Sequence, residues 1–460
     1  MEAILTNIVA AVNDVLWNKY LVLLFLLLGS GIYFTIRTGF VQVRKFGEGM
    51  RLVFGNISLK GKEAGKDGMS SFQALATAIA AQVGTGNIAG CASALVSGAV
   101  FWMWVSAFFG MATIYGEAVL AQKYKEVSED GAVSGGPIYF IKAAFKGKLG
   151  TFMAGFFAVA IILALGFMGN MVQSNSIGDA FYTAFGVPKI AAGIVVAAVS
   201  AFIFLGGVKR IAAITEKLVP IMAIFYICGA LIAIGMNAQN ILPALQSIFV
   251  GAFTPQAVMG GAIGISIKEA VRFGVARGLF SNEAGMGSTP HAHAMAKVEK
   301  PQDQGAVAMV GVFIDTFIVL TLTALVILTS GMLGTTGADG QMLTATALAQ
   351  AAFNNSFGSF GNAFVAICLL FFAFSTIVGW YFFGKSNVNA LFKGSKKATF
   401  LYGVIALVFI VVGSFQKVTL VWDMSDMFNG LMVIPNLLAV LALSGIVAKF
   451  AKDDTYLGKE

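Results

Sequence analysis

The chain has 460 residues, of which 58% are hydrophobic and 11% charged, with a mean hydropathy of +0.84. A soluble domain carries roughly 45 to 50% apolar residues, so a single soluble globule is excluded and an all-α polytopic membrane protein is expected. The formal net charge of +8 would suit a nucleic-acid partner in a soluble chain, but in a membrane protein it is read first as topology.

In chain order, residues 3–17 are expected to form a short amphipathic helix lying on the surface. About 11 transmembrane helices follow, near 19–37, 71–98, 100–122, 151–175, 189–207, 211–235, 256–276, 304–331, 359–384, 398–415 and 418–449. Each approaches or exceeds the ~20 apolar residues needed to cross a bilayer core. Met1, Glu2 and Ala3 provide no basic leader, so no cleavable signal peptide is expected. Cys91, Cys228 and Cys368 lie in apolar stretches, and their odd count and spacing give neither a disulfide framework nor a zinc cluster.

Eleven spans sort the connecting segments into two sets, and all Lys and Arg except Lys19, Lys189 and Lys417 fall in one of them. Basic residues accumulate on the cytoplasmic side, which predicts a multi-pass cell-membrane protein with its N-terminus outside and its C-terminus cytoplasmic. The net charge is thereby accounted for by the lipid bilayer, with no nucleic acid required. The second and seventh spans are each interrupted by glycines, and each opens a group of five. Five is odd, so the second group runs in the opposite sense to the first, giving one extra N-terminal span plus a five-plus-five inverted repeat, an arrangement found in secondary transporters. Residues 1–70 would hold the surface helix, the extra span and a basic loop, 71–236 the first repeat, 237–449 the second, and 450–460 a cytoplasmic tail.

The second span carries Gly84, Thr85, Gly86 and Asn87 at its centre. Glycine costs about 1 kcal/mol relative to alanine within a helix, and two glycines flanking a polar residue favour unwinding. Carbonyls freed just before the turn, around Ala80, Ala81, Gln82 and Val83, are ligands for a hard cation, and the amides of Thr85 and Gly86 suit a carboxylate. The competing reading is a close-packing face, since Gly86 and Gly90 have GxxxG spacing. In the ninth span the adjacent hydroxyls of Ser375 and Thr376 interrupt an apolar run; they either serve a ligand or bond to the carbonyl one turn back. Glu117 and Asp315 are acids within apolar spans, where function is the default expectation. Glu117 would brace the broken helix through its free amides; Asp315 would pair with Asn87 through an ion or form a structural hydrogen bond. Lys268 with Glu269, and Arg272 with Glu283, are candidate gating pairs, and His291 and His293 are assigned to a cytoplasmic loop with no metal role.

The string AAQVGTGNIAG at 80–90 resembles the sodium-site turn of leucine-transporter-fold proteins. Together with AVFWMWVSAFFG at 99–110, SGGPIYF at 134–140, ARGLFSNEAGMGSTPHAHA at 276–294 and GVFIDT at 311–316, it resembles the alanine or glycine:cation symporter family over essentially the whole chain. One departure is that Leu95 and Val96 stand where that family usually has a Gly pair. The resemblance implies a sodium-coupled importer of small neutral amino acids such as alanine and glycine, working by alternating access, with sodium as the co-transported ion, no enzymatic activity and no obligate protein partner. It also implies a sodium site made by the carbonyls of Ala80, Val83 and Phe372 with the hydroxyls of Ser375 and Thr376. A substrate would meet Thr85 and Gly86 through its carboxylate and unwound carbonyls, Gln82 or Asn170 through its ammonium, with Gln173 one turn from Asn170 and with Phe167, and Trp380 one turn below Thr376, capping the pocket. In the seventh span, Gly260, Gly261 and Gly264 mark the expected second break and Phe273 the lower pocket or an inner gate. A proton-coupled permease of the same fold is the alternative, but its characteristic buried lysine has only Lys217, near the expected cytoplasmic end of its span, as a counterpart.

Overall fold

The computed structural model describes residues 2–55, 68–96, 98–127, 133–254, 266–337 and 340–457. The chain is almost entirely helical. In order come α1 (Glu2–Asn13), α2 (Val22–Arg37), α3 (Ser71–Gln82), α4 (Cys91–Val96), α5 (Val100–Lys123), α6 (Gly147–Ile161), α7 (Asn170–Phe185), α8 (Lys189–Leu205), α9 (Gly207–Met236), α10 (Ile241–Phe253), α11 (Ile267–Asn282), α12 (Pro290–Met295), α13 (Pro301–Val312), α14 (Thr321–Ser330), α15 (Ala345–Phe357), α16 (Phe360–Leu391), α17 (Lys396–Gly413), α18 (Val418–Ala442) and α19 (Ser444–Lys452). Shorter helices fill two connections, and a two-stranded antiparallel ribbon pairs Glu126 with Ser134 and Val127 with Val133.

Among the described residues eight helices are long and apolar enough to span a membrane, and the α3–α4 pair, bent by 48° between Gln82 and Gly86, brings this to nine. Three of the eight run through π turns: Asp14–Asn18 between α1 and α2, Ile162–Gly169 between α6 and α7, and Phe313–Leu320 between α13 and α14. The spanning windows of α5 and α16 are 72% buried and that of α17 only 22%. The first two therefore form the interior, and α17 turns Phe400, Leu401 and Val408 outward. The expected surface helix is docked instead: Leu16 and Trp17 are buried, the Trp17 indole donates to the Asp426 carbonyl at 3.1 Å, and the Asn13 amide to that of Asp423 at 2.9 Å.

The seventh span shows a discontinuity further along than the expected one. Gly260, Gly261 and Gly264 lie outside the described residues. Helix α11 opens on a capping box, with the Ser266 hydroxyl accepting from the Glu269 amide, and ends at Asn282. Glu283 (φ 59°), Gly285 (φ 90°) and Gly287 (φ 80°) then occupy the left-handed region before α12 begins. A left-handed backbone cannot continue a right-handed helix, so the discontinuity falls in the segment Glu283–Thr289.

This shift relocates charges. Gly274 and Gly278 of α11 pack on Trp102 and Ser106 at the start of α5, and Arg272 donates to Asn18 at 2.8 Å. Helix α12 lies at the other end of α5, where Gln122 donates to the His293 carbonyl. Lys268, Arg272 and Arg277 therefore share the face of Asn18, opposite Lys123, and leave the basic set to which the sequence reading assigned them. His291 and His293 are not on a loop: both are buried in α12, bonded to Asn387 and Gln304 at 2.8 Å each.

Candidate functional site

Helix α3 ends because Val83 turns extended (φ −79°, ψ 93°), and Asn87 holds the unwound turn by accepting from the Gly84 amide at 2.9 Å. The carbonyls released there face the middle of α16. Thr376 Oγ1 lies 3.0 Å from the Ala80 carbonyl, 3.4 Å from that of Val83 and 3.0 Å from that of Phe372. Ser375 Oγ lies 3.2 Å from the Ala80 carbonyl and 2.8 Å from that of Phe372. Both hydroxyl residues are fully buried. The two readings of these hydroxyls are thus both realised, because each bonds back along its own helix and across to the break. A Cβ on Gly84 would come 2.4 Å from Thr376 Oγ1, and one on Gly379 within 3.2 Å of Ala81 backbone, so glycine permits this approach. The five oxygens sequence reasoning grouped are brought together. They are neutral and hard, a donor set suited to an alkali cation.

On the other side of the break the Thr85 amide, expected to meet a carboxylate, donates to Gln173 Oε1 at 3.0 Å. Thr85 Oγ1, Gln173 Nε2, Asn170 Oδ1 and Gln82 Oε1 are buried with no hydrogen-bond partner among the described residues. Buried polar atoms are ordinarily paired, so this group marks the break as a place for a polar ligand. Asn170 donates one turn back to the Gly166 carbonyl at 3.0 Å, and Gln82 points toward the second break, donating to the Asn282 carbonyl at 2.7 Å. Gly86 faces Phe280 and Ser281, where a Cβ would stand 3.1 to 3.3 Å away. Trp380 packs against Gly169 and meets Phe280 edge to face at 5.5 Å.

Two expected pocket residues are not brought to the break. Phe167 stacks on Phe409 and Tyr402 of α17, with ring centroids 4.9 and 5.7 Å away. Phe273 lies under the Arg272 guanidinium, 3.8 Å from its ring centroid, on the face of Asn18. Gly261 is outside the described residues.

The second break is held by acids. Glu117 of α5 accepts from the Gly285 amide at 2.9 Å, the Gly287 amide at 3.0 Å and the Asn436 side chain, so its bracing role is real but applies to this turn. Glu283 accepts from the Trp380 indole and the Ser288 hydroxyl. Asp315 accepts from Ser281 Oγ at 2.9 Å, Thr316 Oγ1 at 2.8 Å and, directly, Asn87 Nδ2 at 2.6 Å. The two breaks are thus cross-linked through Asn87–Asp315 and Gln82–Asn282. Neither expected gating pair forms. Arg277 instead makes a two-pronged ion pair with Asp426 of α18 at 2.9 and 2.7 Å, its guanidinium 4.3 Å above the Trp422 ring. Phe280, Ser281, Asn282 and Trp422 were missed in the sequence. Three of these sit in the quoted LFSNEAGMGS string, where polar residues beside two glycines were the available signal.

The profile of the sodium:alanine symporter family matches residues 1–459. The chain belongs to the sodium:alanine symporter family. Among its relatives in this family, the sodium/alanine symporter AgcS of Methanococcus maripaludis is 42% identical over 97% of this chain and 96% of its own length. The probable sodium/glutamine symporter GlnT of Bacillus subtilis is 42% identical over 99% of this chain and 92% of its own. The crystal structure of MhsT in complex with L-phenylalanine superposes with a TM-score of 0.59 at 14% identity, covering 84% of this chain and 98% of that one. That likeness establishes the leucine-transporter fold. This member of the sodium:alanine symporter family is therefore a secondary transporter working by alternating access, and not an enzyme.

Proposed function

We propose that this transporter carries alanine, or a neutral amino acid of similar size, into the cell together with sodium. The observation that supports this reading most directly is the convergence of the Ala80, Val83 and Phe372 carbonyls on the Ser375 and Thr376 hydroxyls. Sodium enters that cage; the amino acid lies at the neighbouring break, its carboxylate toward the amides of Thr85 and Gly86 and its ammonium toward Asn170 and Gln82. Relatives in the family include both an alanine and a probable glutamine symporter. The small substrate is favoured here by the close edge-to-face contact of Phe280 and Trp380 beside Gly86.

In this reading residues 71–236 and 237–449 are the two inverted repeats, each opening on its discontinuous helix. Eleven spans result when three elements join the eight long helices: the bent α3–α4 pair, the 17-residue α8, and α11 with α12. The face carrying Lys123, Lys142, Lys300 and Lys396 is cytoplasmic, with the N-terminus outside. Helix α9 offers Met222 at 3.4 Å from Ser375 Oγ, while its Lys217 is exposed, which favours sodium over proton coupling.

The deciding experiment is uptake of labelled alanine into proteoliposomes under an inward sodium gradient, with a proton gradient of equal size and excess unlabelled glutamine as comparisons. Sodium-driven uptake that glutamine leaves unchanged is expected. Uptake driven by protons alone would overturn the ion, and stronger competition by glutamine than by glycine would overturn the substrate.

A further inference from the structure

The end of the molecule that carries Lys123 and α12 also holds a groove of about 730 Å³ between α8, α16 and α17. It belongs to no part of the transport site. Its walls are apolar, with Phe204 and Leu205 from α8 and Phe400 and Val404 from α17. Leu205 is 81% and Phe400 68% exposed, so the groove opens on the lipid-facing side.

Its polar groups lie along one edge of α16. Tyr381, Lys385 and Asn389 follow at intervals of four residues, which places them on one helical face, and Lys396 joins them from the start of α17. Tyr381 is 3% exposed, its ring stacked on Phe204 and Tyr402. Lys385 is half-buried, and neither it nor Lys396 has an acidic partner among the described residues. A half-buried cation such as Lys385 is costly without a partner. Two ammonium groups and a phenol above an apolar slot complement a phosphate that carries acyl chains. A soluble anion would leave the slot unfilled, and a zwitterionic headgroup would bring a third cation beside the lysines.

We propose that this groove binds an anionic phospholipid, with Lys385, Lys396 and the Tyr381 hydroxyl holding the phosphate and the acyl chains lying against Phe204, Leu205 and Val404. Bound there, the lipid ties α8, α16 and α17 together at the membrane boundary, as basic pockets between spans do elsewhere.

The test is thermal unfolding of the full-length protein in detergent, titrated with phosphatidylglycerol, phosphatidylcholine or inorganic phosphate. Phosphatidylglycerol is expected to raise the unfolding temperature saturably, and the other two not. Lys385→Ala and Lys396→Ala should each raise the half-saturating phosphatidylglycerol concentration about fivefold, and Tyr381→Phe should raise it without changing charge. Lys393→Ala with Lys397→Ala, on the same connection but outside the groove, serves as the control. An equal response to phosphatidylcholine or phosphate overturns the proposal, as does an equal loss in the control pair. Should Lys385→Ala fail to fold, Lys396→Ala and Tyr381→Phe decide the matter alone, and unaltered titrations in both reject the site.

Discussion

The hydroxyl of Thr376 lies 3.0 Å from the carbonyl of Ala80, a residue 296 positions earlier, at the point where α3 runs out. One side chain thus joins the last turn of a broken helix to the middle of an unbroken one. Thr376→Ala is expected to raise the sodium concentration for half-maximal uptake at least about tenfold, the equivalent of about 1.4 kcal/mol, while Thr376→Ser stays near the parent. Sodium titration of alanine uptake measures this, and identical curves for the alanine variant would remove Thr376 from the cation site.

Gly84 is expected to tolerate no side chain, because a Cβ would stand 2.4 Å from Thr376 Oγ1. Gly84→Ala should insert into the membrane normally and lose sodium-dependent stabilisation against heat. Retained sodium-dependent stabilisation would mean that the cation binds elsewhere.

Gln173 occupies the Thr85 amide that a substrate carboxylate would need. Gln173→Glu places a negative charge at that position, and alanine affinity should fall at least about tenfold with sodium affinity nearly unchanged. Gln173→Ala, which frees the amide, should bind alanine better than the Glu variant. Equal alanine affinities in the two variants would show that the carboxylate docks away from Thr85.

Arg277 and Asp426 form a mostly buried pair on the face of Asn18. Removing one partner strands a charge, whereas replacing both with apolar residues can restore stability. Asp426→Asn should therefore lower both thermal stability and uptake. The double variant Arg277→Met with Asp426→Leu should recover stability but not uptake if the pair works as a gate. Recovery of both would reduce the pair to a structural role.

Glu117 accepts two amide donors of the second break. Glu117→Gln puts an amide nitrogen against one of them and should cost about 2 kcal/mol of stability, with uptake lost because the turn between α11 and α12 is no longer held. Unfolding temperature and uptake, measured together, check this.

The meeting of the Ala80 and Val83 carbonyls with Ser375 and Thr376 was legible because its signal is local: a glycine-flanked turn and two adjacent hydroxyls in an apolar run. The second break was not, since its first left-handed residue is Glu283, and no composition rule marks a glutamate for φ 59°. Phe273 was misplaced as a direct result, because a break set before it consigned it to the inner half. Phe167 was misread for another reason. It sits inside the Ile162–Gly169 π turn, whose extra residue per turn rotates the face it presents. The docking of α1 was equally hidden, as it depends on carbonyls of α18 some four hundred residues away.

The cross-links between the two breaks have a mechanical consequence. Asn87 grips Asp315 and Gln82 grips Asn282, so displacing one discontinuous helix alone would strand a carboxylate and an amide in a medium without water to replace the lost partners. A joint displacement of the two discontinuous helices keeps both contacts, so the pair is built to move, when it moves, as one body rather than as two.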